Sequence, residues 1–296
     1  MIKQVTELTI PRYAPVWDTI LKFNGASDYV EIPNNEDIDF ASKQDFTIAF
    51  WVLAEKQQKN TSNSDNGIVE KWSSSKGYPY AIRYLNEKAG DNAGKIVAAI
   101  YDGTVNASIM SKTKVDDGQF HYVAFVRKTE GKNTKLYLYI DGEEEASADD
   151  NSTGDTKNNS PLYLGRRGDN TNYFTGCIGR LLIFNKALEK EGIHYCMEKN
   201  STILPQDSPL LLKGGLVGAW RCNEGYGTIA FDYAKSNNGI LGGSDGENAR
   251  PVWVVSTIPM PLDFAGIHNS IKMPEFLKGK EQEADIPKDL SLFVRK

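Results

Sequence analysis

Two polar stretches of the chain combine aromatic rings with amide, carboxylate, ammonium and guanidinium groups. The first surrounds a serine-rich turn and contains Lys71, Trp72 and Tyr78. The second is a single loop that contains Arg166, Arg167, Asp169, Asn170, Asn172 and Tyr173. An aromatic ring stacks on the apolar face of a pyranose, while neighbouring polar groups bond its hydroxyls. Both stretches therefore predict sugar-binding loops. The alternative is ordinary solvated surface, because amphipathic aromatics are common at loop edges.

The catalytic alternative to sugar binding is hydrolysis of a glycosidic bond. It needs two carboxylates across the bond, typically on alternate positions of one strand so that both face a cleft. The acidic clusters lie at residues 37–39, 143–145, 149–150 and 281–285, and none forms a Glu-x-Asp-x-Glu run inside a central strand. His121 and His194 have no serine or cysteine motif beside them, so we interpret both as structural. The sequence therefore predicts a protein that is not an enzyme.

Charge and hydropathy argue against two classes of partner. The 296 residues carry a formal net charge of −5, which provides no basic surface for nucleic acid or for an acidic membrane. The chain has no apolar run of membrane length and no apolar leader, which predicts a protein made in the cytosol without a signal peptide. Cys177, Cys196 and Cys222 are an odd number without metal-ligand spacing, so we interpret them as buried or free thiols.

Short runs of alternating apolar residues, separated by glycine, asparagine, aspartate and serine, occupy most of the chain. Residues 120–126 and 135–140 flank a polar turn and predict a β-hairpin. Only residues 186–199 carry a helical pattern. Further strands are predicted near residues 20–23, 29–32, 46–54, 67–71, 78–84, 95–101, 106–111, 162–165 and 177–185. Strands at this regular spacing predict an all-β fold, a sandwich or barrel of antiparallel strands.

Several motifs follow one another in a fixed order between residues 15 and 198. They are LKFNGASDYVEIP at 21–33, DFTIAFWV at 45–52, DGQFHYVAFVRK at 117–128, KLYLYIDGEE at 135–144, PLYLGRRG at 161–168 and YFTGCIGRLLIFNKAL at 173–188. In this order they resemble the laminin G-like and pentraxin-type domains of the concanavalin A-like lectin/glucanase superfamily. The resemblance implies a jelly-roll β-sandwich of two antiparallel sheets, followed here by a C-terminal β-rich extension.

The C-terminal sequence repeats the opening of this domain. Residues 216–241 resemble the first strands of the family, and residues 262–274, LDFAGIHNSIKMP, repeat residues 21–33. The predicted organisation is an N-terminal arm at 1–14, a laminin G-like domain at 15–198, a linker at 199–215 and a partial second copy at 216–296. Half a sandwich has open sheet edges. These strands are therefore predicted either to complete the first domain or to mediate self-association or pairing with another structural protein.

The same resemblance implies a place to look for a metal ion. A calcium ion held by loop oxygens is the implied cofactor, with Asn24 and Asp28 as the first candidate ligands. Gly179 stands where the family often has an acidic residue, so loss of the metal is the alternative.

Lectin-like domains usually work outside cells, whereas this sequence carries no leader and has unpaired cysteines. A protein that is assembled in the cytosol and released within a particle would reconcile these observations. The predicted function is a non-enzymatic, lectin-like binding and assembly module that recognises glycans as a virion surface component, such as a phage fibre or capsid decoration protein. One alternative is a purely structural assembly or capsid-stabilising protein. The other is a secreted, hence extracellular, glycan-binding accessory of a glycoside hydrolase.

Overall fold

The computed structural model describes residues 19–198 and 214–255, and these residues form sixteen strands and one α-helix. In chain order the elements are β1 Thr19–Asn24, β2 Val30–Ile32, β3 Phe46–Ala54, β4 Asp65–Glu70, β5 Tyr78–Leu85, β6 Lys95–Tyr101, β7 Asn106–Lys114, β8 His121–Glu130, β9 Asn133–Ile140, β10 Glu143–Asp149, β11 Leu162–Leu164, β12 Thr175–Phe184, α1 Lys190–Glu198, β13 Leu216–Trp220, β14 Ile229–Ala230, β15 Gly239–Leu241 and β16 Val252–Val255. The predicted all-β fold is confirmed.

The strands form two antiparallel sheets. Sheet A has the order β10-β9-β8-β3-β12-β1-β16, with β13 paired to the remaining part of β12. Sheet B has the order β14-β15-β2-β11-β4-β5-β6-β7. A single buried cluster contains side chains from both sheets, so the two sheets pack face to face. This is the predicted sandwich, and the predicted hairpin is formed by β8 and β9.

Alternation along the strands decides which side chains enter the core. On β8, Val123 and Phe125 belong to the central cluster together with Ile82 of β5. Tyr122 and Ala124, on the opposite face of β8, belong to a second cluster that includes residues of α1. Burying each large apolar side chain contributes about 1.5–3 kcal/mol. Sheet A is therefore apolar on both faces in this region, and α1 packs on its outer face.

The helix begins four residues later than the sequence pattern predicts, at Lys190 instead of Lys186. The Thr47 hydroxyl of β3 donates a hydrogen bond to the Lys186 carbonyl at 2.9 Å and accepts one from the Leu188 N–H at 2.8 Å. These two bonds hold the chain against β3, so that helical hydrogen bonding starts only beyond them. No helix within residues 19–198 and 214–255 is long and apolar enough to cross a membrane.

Residues 216–255 contribute strands to both sheets of the domain that residues 19–198 form. β13 pairs with β12 and β16 with β1 in sheet A, while β15 pairs with β2 in sheet B. Trp220 of β13 is fully buried in the central cluster, and its Nε1–H donates to the Asn237 carbonyl at 3.0 Å. The predicted arm at 1–14, most of the linker and the repeat at 262–274 lie outside the described residues. That residues 216–296 are a second copy stays a prediction.

His121, at the start of β8, has a structural role that can be tested. Its Nδ1 lies 2.7 Å from Asp141 Oδ2 and its Nε2 lies 3.1 Å from Asp117 Oδ1, and only 7% of the residue is exposed. Asp141 also accepts a hydrogen bond from the Tyr122 N–H at 2.8 Å. The imidazolium form therefore links two turns at one end of the sandwich.

We expect the stability of the domain to fall as the pH rises through the folded-state pKa of His121. The hydrogen bond to Asp141, together with that to Asp117, raises the pKa of His121 above its ordinary value, although burial opposes the shift. The stabilisation is fully present below the unfolded pKa and is lost above the folded one. The effect is measured by urea unfolding of the wild type and of His121→Gln at pH values from below the unfolded-state pKa of His121 to above its folded-state pKa. An identical pH slope in the two proteins would contradict it.

Candidate functional site

The two polar loops singled out by the sequence meet on the outer face of sheet B. β4 and β11 are neighbours in this sheet, with Glu70 opposite Tyr163. The loop after β4 carries Trp72, and the loop after β11 carries Arg167. The Arg167 guanidinium carbon lies 5.1 Å from the centroid of the Trp72 ring, which is a cation–π contact. The predicted loops therefore form one surface instead of two.

Gly168 allows this close approach. A Cβ atom at this position would lie 2.9 Å from the Trp72 carbonyl oxygen and 3.7 Å from the Tyr163 ring. Backbone cannot yield as a flexible side chain can, so any larger residue would push the two loops apart. Glycine is thus required where the second loop crosses Trp72.

Arg167 and Asp169 form a two-pronged ion pair within the second loop. Arg167 Nε and Nη2 donate to the two Asp169 carboxylate oxygens at 3.0 and 2.9 Å. The Thr171 hydroxyl donates to the same carboxylate at 2.6 Å. Burial alone would raise the pKa of Asp169, but the hydrogen bonds from Arg167 and Thr171 outweigh it and lower the pKa. Asp169 is therefore ionised at neutral pH, and it presents acceptors beside the donors of Arg167.

A second ion pair lies beside the first on the same face. Arg83 of β5 donates to the two oxygens of Glu70 at 2.8 and 3.0 Å, and its Nη1 lies 3.5 Å from Asp65. Burial lowers the pKa of Arg83, but Glu70 and Asp65 more than offset that effect and raise it. Glu70 has no exposed surface. Its carboxylate is therefore held by Arg83 and does not reach a ligand in solvent.

Tyr101 belongs to this surface, although it is not among the predicted ligand-binding residues. The Tyr101 ring lies 5.6 Å from the Tyr78 ring at an interplanar angle of 41°, and its hydroxyl donates to the Gly103 carbonyl at 2.7 Å. Trp72 and Tyr101, both half-buried, pack against a small buried cluster that includes Tyr78. Alternation on β6 could have identified it, because Ile100 enters the core and its neighbour Tyr101 must face outward.

We refer to Trp72, Arg83, Tyr101, Arg167 and Asp169 as the outer-face patch. Tyr78 is only 5% exposed and supports the patch from below, which corrects its prediction as a ligand-binding residue.

Lys71 does not take part in this surface, which corrects its prediction as a ligand-binding residue. Its side chain is fully buried, and Nζ donates to the carbonyls of Asn158 at 2.7 Å and Ser160 at 2.8 Å. Asp39 lies 3.4 Å away. Burial lowers the pKa of Lys71 to about 8, against the opposing effect of Asp39. The cation instead ties the end of β4 to the loop before β11.

Asn170 and Asn172 occupy left-handed backbone positions in the second loop, with φ of 62° and 55°. Asn172 is buried, which is a further correction to its predicted ligand contact. Its side chain accepts a hydrogen bond from Asn63 at 2.7 Å and donates to Asp65, so it fixes the loop instead of meeting a ligand. Asn170 is exposed, and its amide oxygen accepts a hydrogen bond from Arg166.

Tyr173 lies at the side of the outer-face patch. It packs, half-buried, against a cluster that contains Tyr29 and Tyr163. The Arg166 guanidinium lies between these rings, 3.6 Å from the centroid of Tyr29 and 4.2 Å from that of Tyr163, and Arg166 is only 3% exposed. Tyr173 therefore extends the aromatic surface, whereas Arg166 is enclosed by it.

Asn24 and Asp28 form a tight turn beside a cleft of about 400 Å³ that Glu55 and Lys59 also line. Asn24 Oδ1 accepts hydrogen bonds from the backbone N–H groups of Ala26, Ser27 and Asp28 at 2.8–3.2 Å. Asp28 accepts the Asn24 N–H at 3.0 Å, and burial raises the pKa of Asp28. Calcium takes six to eight oxygen ligands. These two residues do not fit calcium as they stand, because their oxygens are already used within the turn.

A thermal unfolding experiment tests whether calcium binds at this turn. Because the turn would have to open to coordinate the ion, we expect the same unfolding temperature in millimolar CaCl2 and in EDTA. An unfolding temperature that is higher in CaCl2 than in EDTA would contradict this expectation. If Asp28→Asn abolished that increase and Asp149→Asn preserved it, the result would support the metal site.

The comparisons with known proteins agree with the architecture. The Laminin_G_3 family model, described as the concanavalin A-like lectin/glucanases superfamily, matches residues 24–194. The chain therefore belongs to the concanavalin A-like superfamily, and within it to this laminin G family. The match does not include residues 216–296, so it does not bear on the predicted second copy. No curated protein matches the chain.

Three solved structures are similar to this chain at low sequence identity, and the first of them shares its fold. A putative carbohydrate binding protein from Bacteroides ovatus ATCC 8483 has a TM-score of 0.58 and 15% identity, covering 83% of this chain and 62% of that protein. The chain thus spans less than two thirds of that protein's length. A heptameric SAP-like pentraxin from Limulus polyphemus has a TM-score of 0.43 and 13% identity, covering 62% of this chain and 82% of the other. The mouse laminin alpha1 LG4-5 domains have a TM-score of 0.41 and 16% identity, covering 64% and 48%.

Proposed function

We propose that this protein is a non-enzymatic glycan-binding module and that the outer-face patch is its binding site. The observation that carries the proposal is the contact between Trp72 and Arg167, with Asp169 bonded to the same guanidinium. An aromatic surface beside paired donors and acceptors matches a sugar, whose ring has an apolar face and whose hydroxyls both donate and accept. The superfamily, which includes lectins, supports the same assignment.

The arrangement of carboxylates supports binding over hydrolysis. A glycosidase needs one carboxylic acid that donates a proton and one carboxylate that acts as base or nucleophile. On the outer face, Glu70 is buried and held by two hydrogen bonds from Arg83, and Asp169 is held by Arg167. Asp65, a third carboxylate on this face, lies 3.5 Å from Arg83 Nη1, so these three carboxylates are all paired with arginine.

A glycan array tests the proposal. Neutral and acidic oligosaccharides are printed on the array, and binding of the full chain to each is measured. The expected result is binding to at least one glycan that is lost in Arg167→Ala and retained in Lys190→Ala, a residue of α1 on the outer face of sheet A. Binding that survives Arg167→Ala would move the site elsewhere. A complete lack of signal would favour a purely structural assembly protein.

We further propose that the module is part of a released particle, as a virion fibre or capsid decoration protein is, and that its C-terminal strands contribute to assembly. Burial raises the pKa of Cys177 to about 11 and that of Cys196 to about 12, so neither thiol is poised to react. Tyr226, 81% exposed, and Val255, 59% exposed, give the C-terminal segment apolar surface. The secreted accessory of a glycoside hydrolase is the alternative.

Light scattering on the full chain and on a chain ending at Val255 tests the assembly role. A smaller particle after truncation supports assembly through residues 256–296. An unchanged mass there that falls in Tyr226→Ala places assembly on the exposed surface that the truncated chain retains, and an unchanged mass in both argues against an assembly role.

A further inference from the structure

We infer that the outer-face patch selects uncharged oligosaccharides and discriminates against sulfated and carboxylated glycans. This inference rests on the proposed function and adds the class of ligand. Three features of the patch support it. Its arginines are paired with carboxylates, those carboxylates are negatively charged, and each pair places a hydrogen-bond donor beside an acceptor for a sugar hydroxyl.

Both arginines of the patch are already engaged by carboxylates. Arg167 uses Nε and Nη2 on Asp169, and Arg83 uses Nε and Nη2 on Glu70. A two-pronged contact of this kind is the geometry by which arginine recognises a carboxylate or sulfate ligand. An acidic glycan could use these forks only by displacing a protein carboxylate.

A third arginine beside the patch is also withheld from solvent. Arg166 lies 3.6 Å from the centroid of the Tyr29 ring and 4.2 Å from that of Tyr163, with 3% of its surface exposed. The serine-rich turn at residues 72–77 contributes Lys76, which is exposed. Its charge is screened by solvent and salt, so it adds little to selection.

The carboxylates of the ion pairs offset the positive charge that the arginines would otherwise present to an approaching ligand. Asp169 is about one third exposed at its side chain, and its neighbours hold it ionised. Asp65, with 20% of its side chain exposed, lies beyond Arg83. An anionic group that reaches the Trp72 ring meets the Arg167 guanidinium there together with the Asp169 carboxylate bonded to it, and the like charges of ligand and Asp169 repel.

The same pairs suit neutral hydroxyls. A sugar hydroxyl both donates and accepts a hydrogen bond, and the Arg167–Asp169 pair presents a remaining guanidinium donor beside a carboxylate acceptor. Trp72 and Tyr101 supply apolar surface for the carbon–hydrogen face of the ring. An uncharged sugar can thus be bound without breaking either ion pair.

Titration calorimetry tests the inference with defined probes. Cellohexaose, laminarihexaose and mannohexaose serve as neutral probes, and heparin and hyaluronan hexasaccharides serve as acidic ones. We expect at least one neutral probe to bind, and each acidic probe to bind about tenfold more weakly or not at all, which is the effect of one unfavourable close charge pair. Asp169→Asn releases Arg167, so it should raise the heparin affinity by about fivefold.

Asp149→Asn is the matched control, because Asp149 is an exposed aspartate on β10 of sheet A. It should change no affinity. Acidic probes that bind more tightly than all neutral ones, or an Asp169→Asn variant that gains no heparin affinity, would overturn the neutral class while leaving glycan binding intact. No heat with any of the probes, together with an empty glycan array, would overturn the proposed function itself.

Discussion

Replacing Trp220 with alanine is expected to destabilise the domain by about 3–5 kcal/mol, which is typical when a large, fully buried aromatic side chain is removed. Trp220 lies in the central core, although it belongs to a strand that the chain adds after residue 215. Its loss would leave a cavity between the sheets and an unpaired carbonyl at Asn237. Chemical denaturation monitored by circular dichroism measures the change.

Tyr226→Ala is the control for this experiment. Tyr226 lies in the same segment but is 81% exposed, so its removal should alter stability by no more than about 0.5 kcal/mol. If Trp220→Ala were as mild as Tyr226→Ala, residues 216–255 would not pack against the sandwich in solution, and the sheets would have to end at β12, β1 and β2.

The second large effect is expected at the binding site. Trp72→Ala should weaken glycan binding by about 2 kcal/mol, roughly a thirtyfold rise in Kd, as found for tryptophans at the centre of interfaces. The variant removes the ring and also the surface on which Arg167 rests. Calorimetry with whichever oligosaccharide the wild type binds gives the value.

Stability must be followed in the same variant, because Trp72 packs on the cluster around Tyr78. Binding is therefore compared well below the unfolding temperature of each protein. Tyr226→Ala again serves as the control, since it removes an exposed aromatic ring from the loop before β14, the edge strand of sheet B, outside the outer-face patch. Equal affinities in Trp72→Ala and wild type would exclude the outer face of sheet B as the site.

The long strands were predictable because a period of two is a local property of the sequence. On β8 the alternating residues separate into the central cluster and the cluster beneath α1, as the pattern requires. The same logic extends to Tyr101, whose position beside the inward-facing Ile100 places it on the outer face. Local alternation therefore predicts the fold and which face a strand residue occupies.

Contacts between distant parts of the chain were not predictable in this way. Lys71 is buried because its ammonium group bonds Asn158, 87 residues away in the sequence. A lysine beside a tryptophan in a polar turn otherwise indicates a surface residue. Asn172 was misassigned for the same reason, because its partner Asn63 lies 109 residues away. Trp72 and Arg167 were each identified, but only the folded chain brings them together.

The indole N–H signals of the five tryptophans provide the most direct test of where a glycan binds. A Trp72→Phe variant assigns the signal of Trp72 in a ¹H–¹⁵N spectrum, and the ligand found by calorimetry is then added to the wild type. We expect the Trp72 signal to shift with the calorimetric Kd, while the signals of Trp51 and Trp220, which are buried in the two core clusters, stay in place. A saturating ligand that leaves Trp72 unmoved and shifts Trp253 of β16 instead would contradict it.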